Sequence, residues 1–344
     1  MLMVVFGAGA SYDSCPTHPP PQPGYPDEFV ACRLPLGDRL FEERALFYPI
    51  LERFSPALEV APRLRHLLPN TTVEQVMAEL LSEAGTHPRR HAQLAAIRYY
   101  LQSAIGECDS EWDRRAAHGV TNYKSLLDMI EHRRKRDDTV CLVNFNYDTM
   151  LDVALRTVGI ELRAIDDYVS SNYKVIKVHG SVNWGREVEP PIDNIGATND
   201  DYLVRALIEQ AASVKLTDRF HLANQRPMVR LDAHRPLTPA IAIPVQTKGA
   251  FECPGEHIDI LKDCLKKVER ILVIGWAAND AHFLNLLRDG RQAIRGVVVA
   301  GQPELAAKVI GNLSQSLDQP RLVPSAGGFT YFTLHEAQNF LDAV

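Results

Sequence analysis

The chain is patterned as short, unbroken apolar runs separated by longer stretches of helical period. Leu2 to Phe6 is apolar at every position, as expected of a strand buried on both faces of a parallel sheet. Val140 to Val143, Val175 to Val178, Ile271 to Ile274 and Val297 to Ala300 share that character, and Phe329 to Leu334 reads as a sixth strand. Between the runs, apolar residues recur every three to four positions. Val73, Val76, Met77, Leu80 and Leu81 follow a capping-box pattern with Thr71 as N-cap and Glu74 three residues on. His91 to Ile105, Asn122 to Ile130, Thr149 to Val158 and Glu256 to Val268 read as further helices. Strands alternating with helices predict an α/β fold with a Rossmann-like, doubly wound parallel sheet in a single domain over 1–344. The helix-rich stretch 36–136 predicts a large helical insertion between the first two strands. The poorly periodic stretch 187–240 predicts a small inserted module of loops and one or two helices. Seven prolines between Pro16 and Pro35 exclude helix and central strand there. They predict an extended, mobile segment: a lid beside the first turn, or a linker.

Composition narrows the function classes. With 344 residues, 46% hydrophobic and 23% charged, the chain has the balance of a soluble globular protein with a sizeable core. A net charge of -6 carries no basic footprint, so no direct nucleic-acid binding is expected. The apolar start is too short to span a membrane and lacks the basic region of a secretory signal, which predicts a cytoplasmic protein with no membrane partner. None of the six cysteines forms a Cys-x-x-Cys pair. That spacing is what brings two thiolates to one tetrahedral ion, so no zinc ribbon and no metal are expected, and the thiols read as reduced. His87 and His91 stand four apart but lack the glutamate of a His-Glu-x-x-His helix, and Pro88 between them marks a helix start.

The candidate chemistry sits at strand ends, where open α/β sheets bind ligands. The first feature is the Gly7-Ala8-Gly9-Ala10-Ser11 turn. The second is Asn144-Phe145-Asn146-Tyr147-Asp148, the third His179-Gly180-Ser181, and the fourth Gly275-Trp276-Ala277-Ala278-Asn279-Asp280. Each has a structural reading as well. Gly-x-Gly is often only a tight turn, Asp148 and Asp280 can cap the helices that follow, and a histidine before glycine is often a loop residue.

Taken together and in this order, the four features resemble the sirtuin (Sir2-like) superfamily, and Asn146-Tyr147-Asp148 makes the chain more similar to its bacterial NAD-hydrolase branch of anti-phage defence systems. Asn144 stands where the family has threonine, and Ala277 where the branch usually has serine. The four-cysteine zinc module of the family's protein deacylases has no counterpart in this sequence. The resemblance implies a nicotinamide adenine dinucleotide (NAD) substrate, with Gly7, Ala8, Gly9, Ser11, Asn144, Gly180, Ser181, Gly275 and Asp280 around it. It implies that Asn146 orients the nicotinamide ribose or an attacking water, that Asp148 holds the nicotinamide end, and that His179 is the general base. It further implies a homo-oligomer and a separately encoded ATPase or sensor protein as partner. An NAD-dependent deacylase or ADP-ribosyltransferase, and a non-catalytic NAD or ADP-ribose sensing module, are the competing readings.

Overall fold

A computed structural model describes residues 1–344 apart from 23, 69–70, 190–198, 223–229, 233–234, 244–250, 291–292 and 344; the side chains of 230–232 and 235 are also left undescribed. The described strands are β1 (Leu2–Phe6), β2 (Val140–Asn144), β3 (Tyr173–Lys177), β4 (Gly180–Val188), β5 (Leu216–Leu222), β6 (Arg230–Asp232), β7 (Arg235–Ile241), β8 (Arg270–Ile274), β9 (Arg295–Val299) and β10 (Arg321–Ser325). The chain divides into two compact units. Unit one comprises Met1–Leu34, Asp109–Val178 and Gly255–Val344, and unit two comprises Pro35–Cys108 and His179–Pro254.

Unit one is a mixed α/β fold built on six parallel strands in the order β3-β2-β1-β8-β9-β10. In chain order that is 3-2-1-4-5-6, the Rossmann-like arrangement, whose direction reverses between β1 and β8. β1 is hydrogen-bonded on both sides, and Met3, Val4, Val5 and Phe6 are fully buried, which explains why a strand of this sheet has no polar alternation. The register sets Phe6 level with Asn144 on one side and Ile274 on the other. Gly7, Phe145 and Gly275 therefore leave the sheet along one carboxyl edge.

Unit two pairs an antiparallel sheet, β5-β4-β7-β6, with helices Phe47–Arg53, Ser55–Arg65 and Val73–Glu83. Its core holds Trp184, Leu237, Phe54, Tyr99 and Tyr100, with the Phe54 and Tyr99 rings stacked at 5.8 Å. No described helix in either unit is long and apolar enough to cross a membrane.

Four local expectations change. Phe329–Leu334 is not a strand but lies within a helix, Gly328–His335. An apolar run of this length does not distinguish strand from buried helix. The deciding contact is distant in sequence: the Asp13 carboxylate accepts from Thr330 N at 3.0 Å and Thr330 Oγ1 at 2.6 Å, satisfying the helix start. The sixth strand is β10, at the sheet edge, where Val323 is 56% exposed and so no apolar run is needed. The capping box lies one residue later than expected, with Thr72 Oγ1 accepting from Gln75 N and Gln75 Oε1 accepting from Thr72 N. The described part of the proline-rich segment is not free of the fold. Arg33 is 1% exposed; its guanidinium pairs with Asp27, donates to Tyr12 O and His18 O, and lies 4.6 Å from the Trp112 ring centroid. Finally, 187–240 contributes strands β5 to β7 as well as the helix Asp200–Glu209; short strands with register shifts leave no clear period-two signal. Part of that stretch lies outside the described residues.

Candidate functional site

The glycine turn opens a five-residue helix, Ala8–Tyr12, directly after β1. Its glycines are required by backbone packing. A Cβ on Gly7 would stand 2.5 Å from Trp276 Cα, and one on Gly9 would stand 2.8 Å from Gly275 Cα. Gly275 has φ +62°, and a Cβ there would stand 2.2 Å from Ala10 N. The two turns at the β1/β8 reversal are thus pressed backbone to backbone. Gly7 N donates to Ile274 O, Gly9 N to Gly275 O, and Ala10 N to Gly7 O. Those three amides are committed within the fold. Ala8 and Gly9 are partly exposed.

Asn146 and Asp148 meet this turn. Asn146 Nδ2 donates to Gly7 O at 2.9 Å and Ser11 Oγ at 2.9 Å, and lies 3.1 Å from Tyr123 Oη. Ser11 Oγ donates to Asp148 Oδ2 at 2.6 Å, while Asp148 Oδ1 accepts from Met150 N at 3.1 Å. Both oxygens of Asp148 are therefore engaged by the protein, and the residue is 3% exposed. It holds Ser11 and caps the Met150–Arg156 helix start. Asn144 is fully buried; its Oδ1 accepts from Asn146 N at 2.9 Å, and its Nδ2 has no partner. A buried amide donor without an acceptor is costly.

Behind Asp148 lies a charged cluster that the sequence reading did not include. Lys177 is fully buried, and its Nζ donates to Asp148 O at 2.6 Å and Asp152 Oδ2 at 3.2 Å. Asp109 Oδ2 accepts from Thr149 N at 2.8 Å and Thr149 Oγ1 at 2.6 Å. Burial, followed by the nearby Asp148 charge, pushes the Asp109 carboxyl up to about 6. Burial also raises Asp148 and Asp152, with Lys177 pulling both back down. A lysine inside the apolar Val175–Val178 run was the one sequence signal for this cluster, since a lone buried cation requires anionic partners. Tyr123 and Asp109 carried no such signal, because helical period alone does not say which face meets a distant strand end.

The fourth motif also lies in unit one. Asp280 Oδ1 accepts from Phe283 N at 2.8 Å and so caps the Ala281–Asp289 helix. Phe145, Trp276 and Phe283 form an aromatic cluster, with Phe145 and Trp276 stacked at 4.7 Å. This brings Gly7, Ala8, Gly9, Ser11, Asn144, Asn146, Asp148, Gly275 and Asp280 to one end of one sheet.

His179, Gly180 and Ser181 belong to unit two. His179 is partly exposed, and its carbonyl accepts from Ala242 N at 2.9 Å. Gly180 has φ +77°, and a Cβ there would fall 1.9 Å from Ala240 O, so glycine is required by strand pairing. Ser181 is fully buried in β4. Elsewhere in unit two, His87 precedes the helix that carries His91, which begins at Arg89, so the pair does not share a helix face. Among the described residues no three His, Cys, Asp or Glu side chains are grouped to hold a metal ion. Comparison of the chain with protein-family models and with curated proteins returned no match.

Proposed function

We propose that the chain is an NAD+ hydrolase that releases nicotinamide and ADP-ribose. The observation that carries this reading is the joining of two motifs 135 residues apart, through the Asn146–Ser11 bond, at the carboxyl ends of adjacent central strands. This is the position at which a Rossmann-like sheet takes a dinucleotide. Gly7 and Gly9 let the two turns close on each other, and a pyrophosphate would approach the partly exposed Ala8 at the start of the helix. Asn146 orients the nicotinamide ribose or the attacking water. The glycosidic bond breaks through an oxocarbenium-like state, as in glycoside hydrolysis generally. Water adds its oxygen to the anomeric carbon, nicotinamide leaves with the bonding pair, and the proton lost by water goes to a general base, the role that the family resemblance gives to His179. Asp148 holds Ser11 through Oδ2, and each carboxylate oxygen keeps a further acceptor position for the nicotinamide end that the resemblance assigns to it.

The same reading makes the chain a cytoplasmic defence effector that depletes NAD on phage infection. Such an enzyme must be silent at rest, so its activation falls to self-assembly or to a separately encoded ATPase or sensor. The test is NAD+ loss and nicotinamide release by the purified chain, beside His179→Ala and Asn146→Ala, repeated in lysate containing the neighbouring gene products. Both substitutions are expected to lower turnover at least about a hundredfold. Turnover that survives in either variant removes that residue's role. NAD binding without loss in either setting supports a sensing module, and nicotinamide release matched by a modified protein supports a transferase or deacylase.

A further inference from the structure

The Asn122–Arg133 helix carries none of the four motifs, yet its second residue reaches the site of unit one. Tyr123 is fully buried, with its ring 5.0 Å from Phe6 and 5.4 Å from Phe329 by centroid. Its hydroxyl lies 2.9 Å from Ser11 Oγ and 3.1 Å from Asn146 Nδ2. The protons can be counted. Ser11 has one, and the 2.6 Å bond delivers it to Asp148. Ser11 Oγ therefore accepts from the Tyr123 hydroxyl and from Asn146 Nδ2, which fills its two lone pairs. The Asn146 amide has two protons facing three acceptors, namely Gly7 O, Ser11 Oγ and Tyr123 Oη. Both protons are held inside the fold, so the group that this network leaves for a ligand is Oδ1, which is an acceptor.

We propose that Tyr123 is a positioning residue whose hydroxyl, together with Ser11, fixes the Asn146 carboxamide so that Oδ1 meets a ligand hydroxyl or water. Without the tyrosine hydroxyl, Ser11 Oγ loses a donor and the Asn146 amide keeps only Gly7 O and Ser11 Oγ, one acceptor for each proton, so the carboxamide is held less firmly and Oδ1 is less well placed. A less well placed Oδ1 is a poorer acceptor for the proton of a ribose hydroxyl or of the attacking water. The catalytic consequence rests on the NAD-hydrolase reading, whereas the fixed carboxamide does not.

The experiment compares Tyr123→Phe with Tyr100→Phe. Tyr100 is a buried tyrosine of unit two whose hydroxyl donates to Leu40 O at 2.8 Å, so it calibrates the stability cost of losing such a group. Selective nitrogen-15 labelling of asparagine reads the Asn146 Nδ2 protons directly. Their exchange with water is expected to quicken about tenfold in Tyr123→Phe and to stay unchanged in Tyr100→Phe. In the active protein, kcat is expected to fall about tenfold in Tyr123→Phe with KM within about twofold, while Tyr100→Phe changes neither. Ser11→Ala added to Tyr123→Phe is expected to cost less than Ser11→Ala alone, because the two act on one group. An unchanged kcat overturns the proposal. So do equal losses in the two tyrosine variants, or Nδ2 protons that exchange as in wild type. A wild-type protein with no turnover at all removes the hydrolase reading instead, and the exchange measurement then decides the positioning by itself.

Discussion

Asp109, Asp148 and Asp152 share one buried cation, Lys177, so the cluster cannot carry all its negative charges without cost. Burial, and then the Asp148 charge, raise the Asp109 carboxyl from 3.8 to about 6. A carboxyl raised on folding favours the folded state while it is protonated. Its contribution is complete below about pH 4 and is lost as pH rises through about 6. Asp109→Asn removes that loss, so the melting temperature of the variant is expected to gain on wild type between about pH 4 and pH 6.5. Melting curves across that range check it, and parallel curves would show that Asp109 is ionised in both states. At this scale the sequence was only partly legible. Asn146, Asp148 and Ser11 were readable because they sit in short motifs at strand ends. Tyr123 and Asp109 were not, because their role comes from helices that reach the strand ends only in three dimensions.

Elements were most legible where a single local rule decides. The five apolar runs at β1, β2, β3, β8 and β9 are strands, because a parallel strand covered on both faces demands apolar side chains. β10 carries no unbroken apolar run and the Phe329–Leu334 run lies in a helix, because edge exposure and the Asp13 contact override the run-length signal. The Thr72 cap shows the usual one-residue uncertainty of a boundary. Thr72→Ala removes an exposed capping box and is expected to cost about 1 kcal/mol in denaturant unfolding. Gly275→Ala is a harsher test. It places a Cβ on a left-handed backbone and into Ala10 N, and is expected to cost about 3 kcal/mol or more. A loss no larger than that of Thr72→Ala would mean that the two turns can separate without cost.

For the whole molecule, the controlling feature is that the first strand of the chain is central in its sheet. β1 is bracketed by β2 and β8, which pair Leu2 with Val140 and with Arg270. The central ladder therefore cannot close until residues far apart in sequence have met, a topology that folds slowly and leaves open strand edges until late. Position in the sheet, rather than strand propensity, then sets tolerance to substitution. Val4 is fully buried at the middle of β1, whereas Val323 is 56% exposed on the edge strand β10. Val4→Asp puts an unpaired charge on a fully buried face of the sheet and is expected to cost about 4 kcal/mol or more. Val323→Asp changes a solvent-facing side chain and is expected to fall within about 0.5 kcal/mol of wild type. Soluble yield and far-ultraviolet circular dichroism of the two variants check this. Val4→Asp should be lost to the insoluble fraction, because failure of β1 exposes the facing edges of β2 and β8 together. A soluble Val4→Asp with the wild-type spectrum would place β1 at an edge, and with it would fall the argument that the glycine turn stands at the point where the strand order reverses.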